Sequence, residues 1–121
     1  MTMTKFVGEE ILKQHLQEGG QRGIQKISER VYFITGYGVS NATLVIGEQS
    51  CLLIDALNDT LMAEKALADI AEITNKPIDC LIYTHISHPD HTGGAAVLAK
   101  GVTNVLARRS SGVVYGHSHL I

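Results

Sequence analysis

A histidine-rich loop directly after an apolar segment is the feature that most limits how this chain can fold. Residues 80–83 are apolar and are typical of a buried strand. The loop that follows contains Asp90 and three of the six histidines of the chain, His85, His88 and His91. A glycine pair and a short helical segment come next. This order predicts that the histidines lie at the carboxyl end of a strand, where open α/β sheets bind ligands.

The side chains of this loop are typical metal ligands. Neutral imidazole and ionised carboxylate groups suit zinc, manganese and iron(II). The alternative is a solvated polar loop without a ligand, and a single isolated histidine would favour that alternative. Three histidines and one aspartate between a strand and a helix instead favour a metal site.

The hydrophobic pattern predicts an α/β chain with a mixed sheet. The strand, helix and strand between residues 51 and 83 form a βαβ unit, so strands 51–54 and 78–83 are expected to be parallel neighbours. The predicted strands are residues 23–27, 31–35, 41–46, 51–54, 78–83 and 102–107, and the predicted helices are residues 4–18, 59–74 and 95–100.

Composition narrows the class of protein. The chain has 121 residues, which suggests one domain, and 45% are apolar, which is typical of a folded protein. The net charge is −2 and there is no basic run, so nucleic acid and anionic membrane surfaces are not expected as partners. Without an apolar stretch of signal-peptide or transmembrane length, the expected location is the cytoplasm. Cys51 and Cys80 lack the spacing of a metal motif and are expected to be strand thiols.

The histidine loop resembles the signature of the metallo-β-lactamase-fold hydrolases, H-x-H-x-D-H, which is often followed by x-G-G. Residues 88–94 match the last four signature positions and the glycine pair. The frame requires the first histidine at position 86, which is Ile86, whereas His85 lies one residue earlier. The loop therefore resembles the signature with one extra residue, either Ile86 or Ser87. A bulge there could still turn His85 toward the metal, because an inserted residue re-aims a side chain.

The resemblance extends from residue 31 to residue 94 and covers the first half of such a domain. It implies the N-terminal half of an αββα sandwich, with residues 1–20 as a helical lead-in and residues 21–121 as a partial domain. Residues 36–41 and 83–85 are most similar to the alkylsulfatase-type branch. His117 and His119 follow the loop earlier than the next ligand of the family, and we interpret them as tail residues.

The resemblance also implies a site and a reaction, metal-assisted hydrolysis with one or two zinc ions. His85 and His88 would bind the first ion, and Asp90 and His91 the second. Asp90 would also act in catalysis by orienting the attacking water. Asp55, which follows an apolar strand, would support the ligating histidines through a hydrogen bond; capping of the next helix or turn is the alternative.

Two hypotheses about the function follow. The first is a metal-dependent hydrolase that uses activated water on an ester, a sulfate ester or a related bond of a small molecule. The second is a truncated, non-catalytic half-domain that binds metal weakly or forms a homo-oligomer through an exposed sheet. A redox iron protein on the same scaffold is a third reading, because the ligand set does not choose the metal.

Overall fold

The structure is a computed structural model that describes residues 7–18 and 21–108. It confirms the predicted α/β class, with a six-stranded mixed sheet. The helices in the described part are α1 (Val7–Glu18), α2 (Thr60–Ala71) and α3 (Ala95–Leu98), and a 3-10 turn spans Pro89–His91. The strands are β1 (Gly23–Lys26), β2 (Val31–Thr35), β3 (Ala42–Ile46), β4 (Cys51–Ile54), β5 (Ile78–Ile82) and β6 (Asn104–Leu106).

The strands lie in the sheet in the order in which they occur along the chain. Strands β1 to β4 pair antiparallel, with a hairpin between β3 and β4 in which the Gly47 N–H donates to Ser50 O. Strands β4 and β5 are parallel, as the βαβ pattern predicts, and β6 joins β5 in parallel as the outermost described strand. The carboxyl ends of β4 and β5 therefore meet at the same edge of the sheet.

The core lies on one face of the sheet, because buried and half-buried residues alternate along the strands. On the core face the buried strand residues include Ile34, Ala42, Leu44, Cys51, Leu53 and Leu81. Helix α2 contributes Ala63, Ala66 and Ile70 to the same cluster. On the opposite face, half-buried apolar side chains form what we call the open sheet face: Val31, Phe33, Val45, Leu52, Ile54 and Ile82.

Helix α2 begins with a side-chain cap at Asp59. Asp59 is extended, and its Oδ1 accepts a hydrogen bond of 2.8 Å from the Met62 N–H. The helix ends at Ala71, three residues before the predicted end. After it the chain passes through Pro77, which cannot donate to a helix, and enters β5.

Helix α1 contributes nothing to the core. None of its residues is buried, and its apolar side chains Val7, Ile11 and Leu12 are exposed. His117 and His119 lie outside the described residues. Of the helices within residues 7–18 and 21–108, none is long and apolar enough to cross a bilayer.

Candidate metal centre

The candidate site lies where β4 and β5 end. Asp55 follows β4, and Thr84 follows β5 after one buried residue, Tyr83. Burial, and after it the Asp55 carboxylate, raises the pKa of Tyr83. Since the two strands are parallel neighbours, the side chains that follow them are brought together at the sheet edge.

Asp55 is the centre of a hydrogen-bond network beneath the histidine loop. The side chain is buried, and its Oδ1 accepts from the Thr84 N–H at 2.8 Å. Its Oδ2 accepts from the Thr84 hydroxyl at 2.7 Å and lies 2.9 Å from His91 Nδ1. The Thr84 hydroxyl in turn lies 3.1 Å from His85 Nδ1. One carboxylate thus contacts one histidine directly and a second through a threonine.

This network selects the tautomers of two histidines. An ionised carboxylate only accepts hydrogen bonds, so His91 Nδ1 must carry the proton that it donates to Asp55. The Thr84 hydroxyl has one proton, which it donates to Asp55, so it accepts from His85 Nδ1. In the neutral form of each ring, the lone pair is therefore on Nε2, which is the nitrogen that can bind a metal.

The three imidazole rings of the loop lie together. The ring centroids of His85 and His91 are 4.1 Å apart, and those of His85 and His88 are 5.8 Å apart with the rings nearly perpendicular. The extra residue in the loop therefore does not separate His85 from the other two histidines. Ile86 is only 2% exposed and joins the buried apolar cluster.

Asp90 has one carboxylate oxygen for which the described residues provide no hydrogen-bond donor. Its Oδ1 is buried without a hydrogen-bond partner, and its Oδ2 lies 3.4 Å from His91 Nε2. The backbone of Asp90 is held from another loop, because the buried Ser40 hydroxyl donates to its carbonyl oxygen. A buried acceptor without a donor is unfavourable unless a ligand or water pairs with it.

The loop between β4 and α2 packs against the histidine loop and has an uncommon backbone conformation. Asp55 and Leu57 have φ values of 62° and 60°, a left-handed conformation that side-chain-bearing residues rarely adopt. Gly93 and Gly94 pack against this loop so closely that a Cβ atom at Gly93 would lie 1.9 Å from Asn58 O. The Ala56 N–H also donates to His91 O at 2.8 Å. The histidine loop and the β4–α2 loop therefore form one tightly packed unit.

The residues present fit zinc in their chemistry. Two imidazoles on one tetrahedral zinc have ring centroids about 5 Å apart, close to the 5.8 Å between His85 and His88. The unsatisfied Oδ1 of Asp90 adds a hard anionic ligand of the kind that zinc sites also use. Across the described residues, however, no three such side chains are arranged to hold one ion together.

Two polar residues at the site were not assigned a role from the sequence. The sequence could have indicated Thr84. It follows β5, Asp55 follows β4, and these two strands were predicted to be parallel neighbours. Ser40 had none, since its partner Asp90 is 50 residues away and the contact depends on how two loops meet.

Comparisons with known proteins show the family to which the chain belongs. Residues 35–119 match the profile of the Metallo-beta-lactamase superfamily. The chain is 38% identical over 79 residues to the alkyl/aryl-sulfatase BDS1 of Saccharomyces cerevisiae, a match that covers 64% of this chain and 12% of the yeast protein. Against that relative, the chain spans about an eighth of the length.

Solved structures share the fold. The stereoselective inverting sec-alkylsulfatase Pisa1 from Pseudomonas sp. superposes with a TM-score of 0.61 at 30% identity, covering 69% of this chain and 14% of that enzyme. The metallo-beta-lactamase FIM-1 from Pseudomonas aeruginosa, solved in its mono-zinc form, has a TM-score of 0.61 at 22% identity. That match covers 75% of this chain and 43% of FIM-1, and it bears on the fold alone.

Proposed function

The chain belongs to the metallo-β-lactamase superfamily, and we propose that it is a metal-dependent hydrolase whose histidine loop binds zinc. The proposed substrate is a small molecule with a sulfate ester, an ester or a related bond, because a relative is named as an alkyl/aryl-sulfatase. One or two ions would bind, with manganese and iron(II) as alternatives to zinc. No nucleic-acid or membrane partner is proposed, since the net charge is −2.

In this proposal the loop residues act in pairs. His85 and His88 would bind one ion, and Asp90 and His91 would bind the second. A zinc ion held there would supply Lewis-acid chemistry and lower the pKa of the attacking water toward neutrality. Asp90 would accept a hydrogen bond from the attacking water and orient it, and among residues 7–18 and 21–108 its Oδ1 has no competing hydrogen-bond partner.

The observation that carries the proposal is the Asp55 network. It holds the proton on Nδ1 of both His85 and His91, so that each Nε2 is available to a metal before the metal arrives. A solvated polar loop would not need a buried carboxylate with three contacts beneath its histidines. Outer carboxylates of this kind orient metal-ligating histidines and raise their basicity.

Zinc titration in competition with a chelator tests this proposal. His88→Ala and His91→Ala should abolish tight zinc binding, whereas His15→Ala, an exposed histidine on α1, should leave it unchanged. If the three variants retain wild-type zinc affinity, or lose it equally, the loop is not the metal site. Hydrolysis of sulfate-ester, ester and lactam substrates by the zinc-loaded chain then tests the enzymatic part.

A second candidate function is a non-catalytic protein that binds metal weakly and self-associates, and the open sheet face favours it. One row of facing residues crosses five strands: Phe33, Thr43, Ile54, Ile82 and Leu106. Four of these five are large apolar residues, and Leu106 on the outermost described strand is 55% exposed. Exposed apolar faces and unpaired strand edges promote association. Zinc binding without hydrolysis of the substrates above would support this candidate over the first.

A cytoplasmic location is also part of the proposal. Cys51 and Cys80, the two cysteines of the chain, are free thiols. Free strand thiols are typical of a reducing compartment. Cell fractionation of the native protein, with recovery in the periplasmic or secreted fraction, would contradict this location.

A further inference from the structure

The histidine loop contains one extra residue, which would be expected to move His85 away from the other two histidines. Two residues, Ile86 and Ser87, separate His85 from His88, where the signature described above has one. An extra residue displaces the first histidine along the chain and tends to re-aim its side chain. The His85 ring nevertheless lies 4.1 Å from the His91 ring, centroid to centroid, so some feature of the loop compensates for the insertion.

The compensating feature is the direction of Ile86. Its side chain is 2% exposed and belongs to the same buried cluster as Tyr83 and Leu98. The adjacent His85 is only half-buried and faces the other histidines. The backbone thus turns one apolar side chain into the core and the preceding imidazole toward the site.

His85 is held on its other side by Thr84. The Thr84 N–H and hydroxyl both donate to Asp55, at 2.8 and 2.7 Å. His85 therefore lies between a residue fixed by two hydrogen bonds and a residue fixed by apolar burial. With both neighbours held, few backbone conformations remain for His85.

We infer that Ile86 is a positioning residue, whose buried side chain holds the His85 ring in the metal site despite the insertion. The inference rests on the proposed zinc binding, since it concerns how one ligand is positioned. It also identifies Ser87, rather than Ile86, as the residue that the loop accommodates as extra. Deleting Ile86 to restore the usual spacing should therefore harm zinc binding, because it removes the side chain that anchors the loop.

The alternative is that Ile86 only fills the core. Ile70 on α2 provides a matched control, because it is the same residue type, is 3% exposed and belongs to the same cluster. Truncating either isoleucine should lower the melting temperature. Only Ile86→Ala should also weaken zinc binding, by about 10–100-fold, as expected for a group that orients a ligand.

A double-mutant cycle tests whether Ile86 acts through His85. Zinc affinity is measured by chelator competition for the wild type, Ile86→Ala, His85→Ala and the double variant, at a temperature where all are folded. The double variant should bind zinc as His85→Ala does, because the ligand that Ile86 positions has already been removed. If Ile86→Ala does not fold, Ile86→Val and Ile70→Val replace the alanine pair, and only Ile86→Val should lose zinc affinity, by less than the about 10–100-fold expected for full truncation.

Each result has a clear meaning. Equal zinc affinities for Ile86→Ala and Ile70→Ala, or for the two valine variants, would overturn the inference while leaving zinc binding in place. Full additivity of Ile86→Ala and His85→Ala would overturn it as well. A wild-type chain that binds no zinc would contradict the proposed function, and the inference with it.

Discussion

Replacement of Asp55 by asparagine should weaken zinc binding while leaving the fold almost intact. Asparagine has nearly the same shape as aspartate, and it tolerates the left-handed backbone at this position, where φ is 62°. Its amide oxygen can still accept from the Thr84 N–H. The change therefore falls on the second oxygen, which becomes an NH2 group that donates instead of accepting.

The expected size of the effect follows from the two contacts of that oxygen. The Thr84 hydroxyl, now 2.7 Å from Oδ2, can rotate and accept from the new amide, at little cost. His91 Nδ1, at 2.9 Å, can accept only if its proton moves to Nε2, the nitrogen that a metal needs. We expect zinc affinity to fall by about 10–100-fold. The free energy of unfolding should fall by only about 0.5–1.5 kcal/mol, the net value of one hydrogen bond.

Three measurements on the purified chain examine this prediction. Chelator competition gives the zinc affinity, urea unfolding without metal gives the stability, and ring nitrogen shifts in NMR spectra report the tautomer of His91. Asp69→Asn is a matched control, because Asp69 also accepts a hydrogen bond, from the Tyr37 hydroxyl, but lies on α2 away from the loop. The control should change neither the zinc affinity nor the tautomer.

The reasoning would be refuted by Asp55→Asn binding zinc as tightly as the wild type. It would also be refuted if His91 keeps its proton on Nδ1 in the variant while affinity falls, since the loss would then have another cause.

The remaining predictions concern packing, pH and association. Gly93→Ala should lower the free energy of unfolding in urea by about 1–3 kcal/mol, because its Cβ would lie 1.9 Å from Asn58 O. Gly101→Ala is the control and should be neutral, because a Cβ there would have no described atom of another part of the chain within 4 Å. Burial, assisted by Asp69, raises the pKa of Tyr37 to about 12. Its contribution to stability is therefore complete below about pH 10 and is lost as the pH rises toward about 12, a loss of about 2–3 kcal/mol that Tyr37→Phe should not show. Sedimentation of the wild type should show mass increasing with concentration, and Val45→Lys on the open sheet face should suppress this; a stable wild-type monomer at every concentration would contradict it.

The sequence alone was sufficient for the elements and their order, because these depend on local chemistry. The apolar runs predicted the strands, and the βαβ spacing predicted that β4 and β5 are parallel. The predicted helix, residues 59–74, extends three residues beyond the observed end at Ala71. Backbone hydrogen bonds, rather than the side-chain pattern, decide that boundary.

The same local logic located the histidine loop and its relation to the superfamily. The resemblance to the superfamily also suggested Asp55, which follows an apolar strand, as a supporting carboxylate, with a helix or turn cap as the alternative. It could not choose between Ile86 and Ser87 as the extra residue, since either is compatible with the spacing. That choice depends on which side chain finds room in the core.

Only the tertiary structure decided how the site is held together. The contact of Ser40 with Asp90, the role of Thr84 between Asp55 and His85, and the burial of Ile86 each join residues that meet only when loops pack. Sequence patterns describe which residues share a strand or a helix face, and they carry no information on distances between separate loops. The amino-acid sequence therefore determined that a histidine-rich loop follows a buried strand. The packing of three loops determined which way the side chains of that loop face.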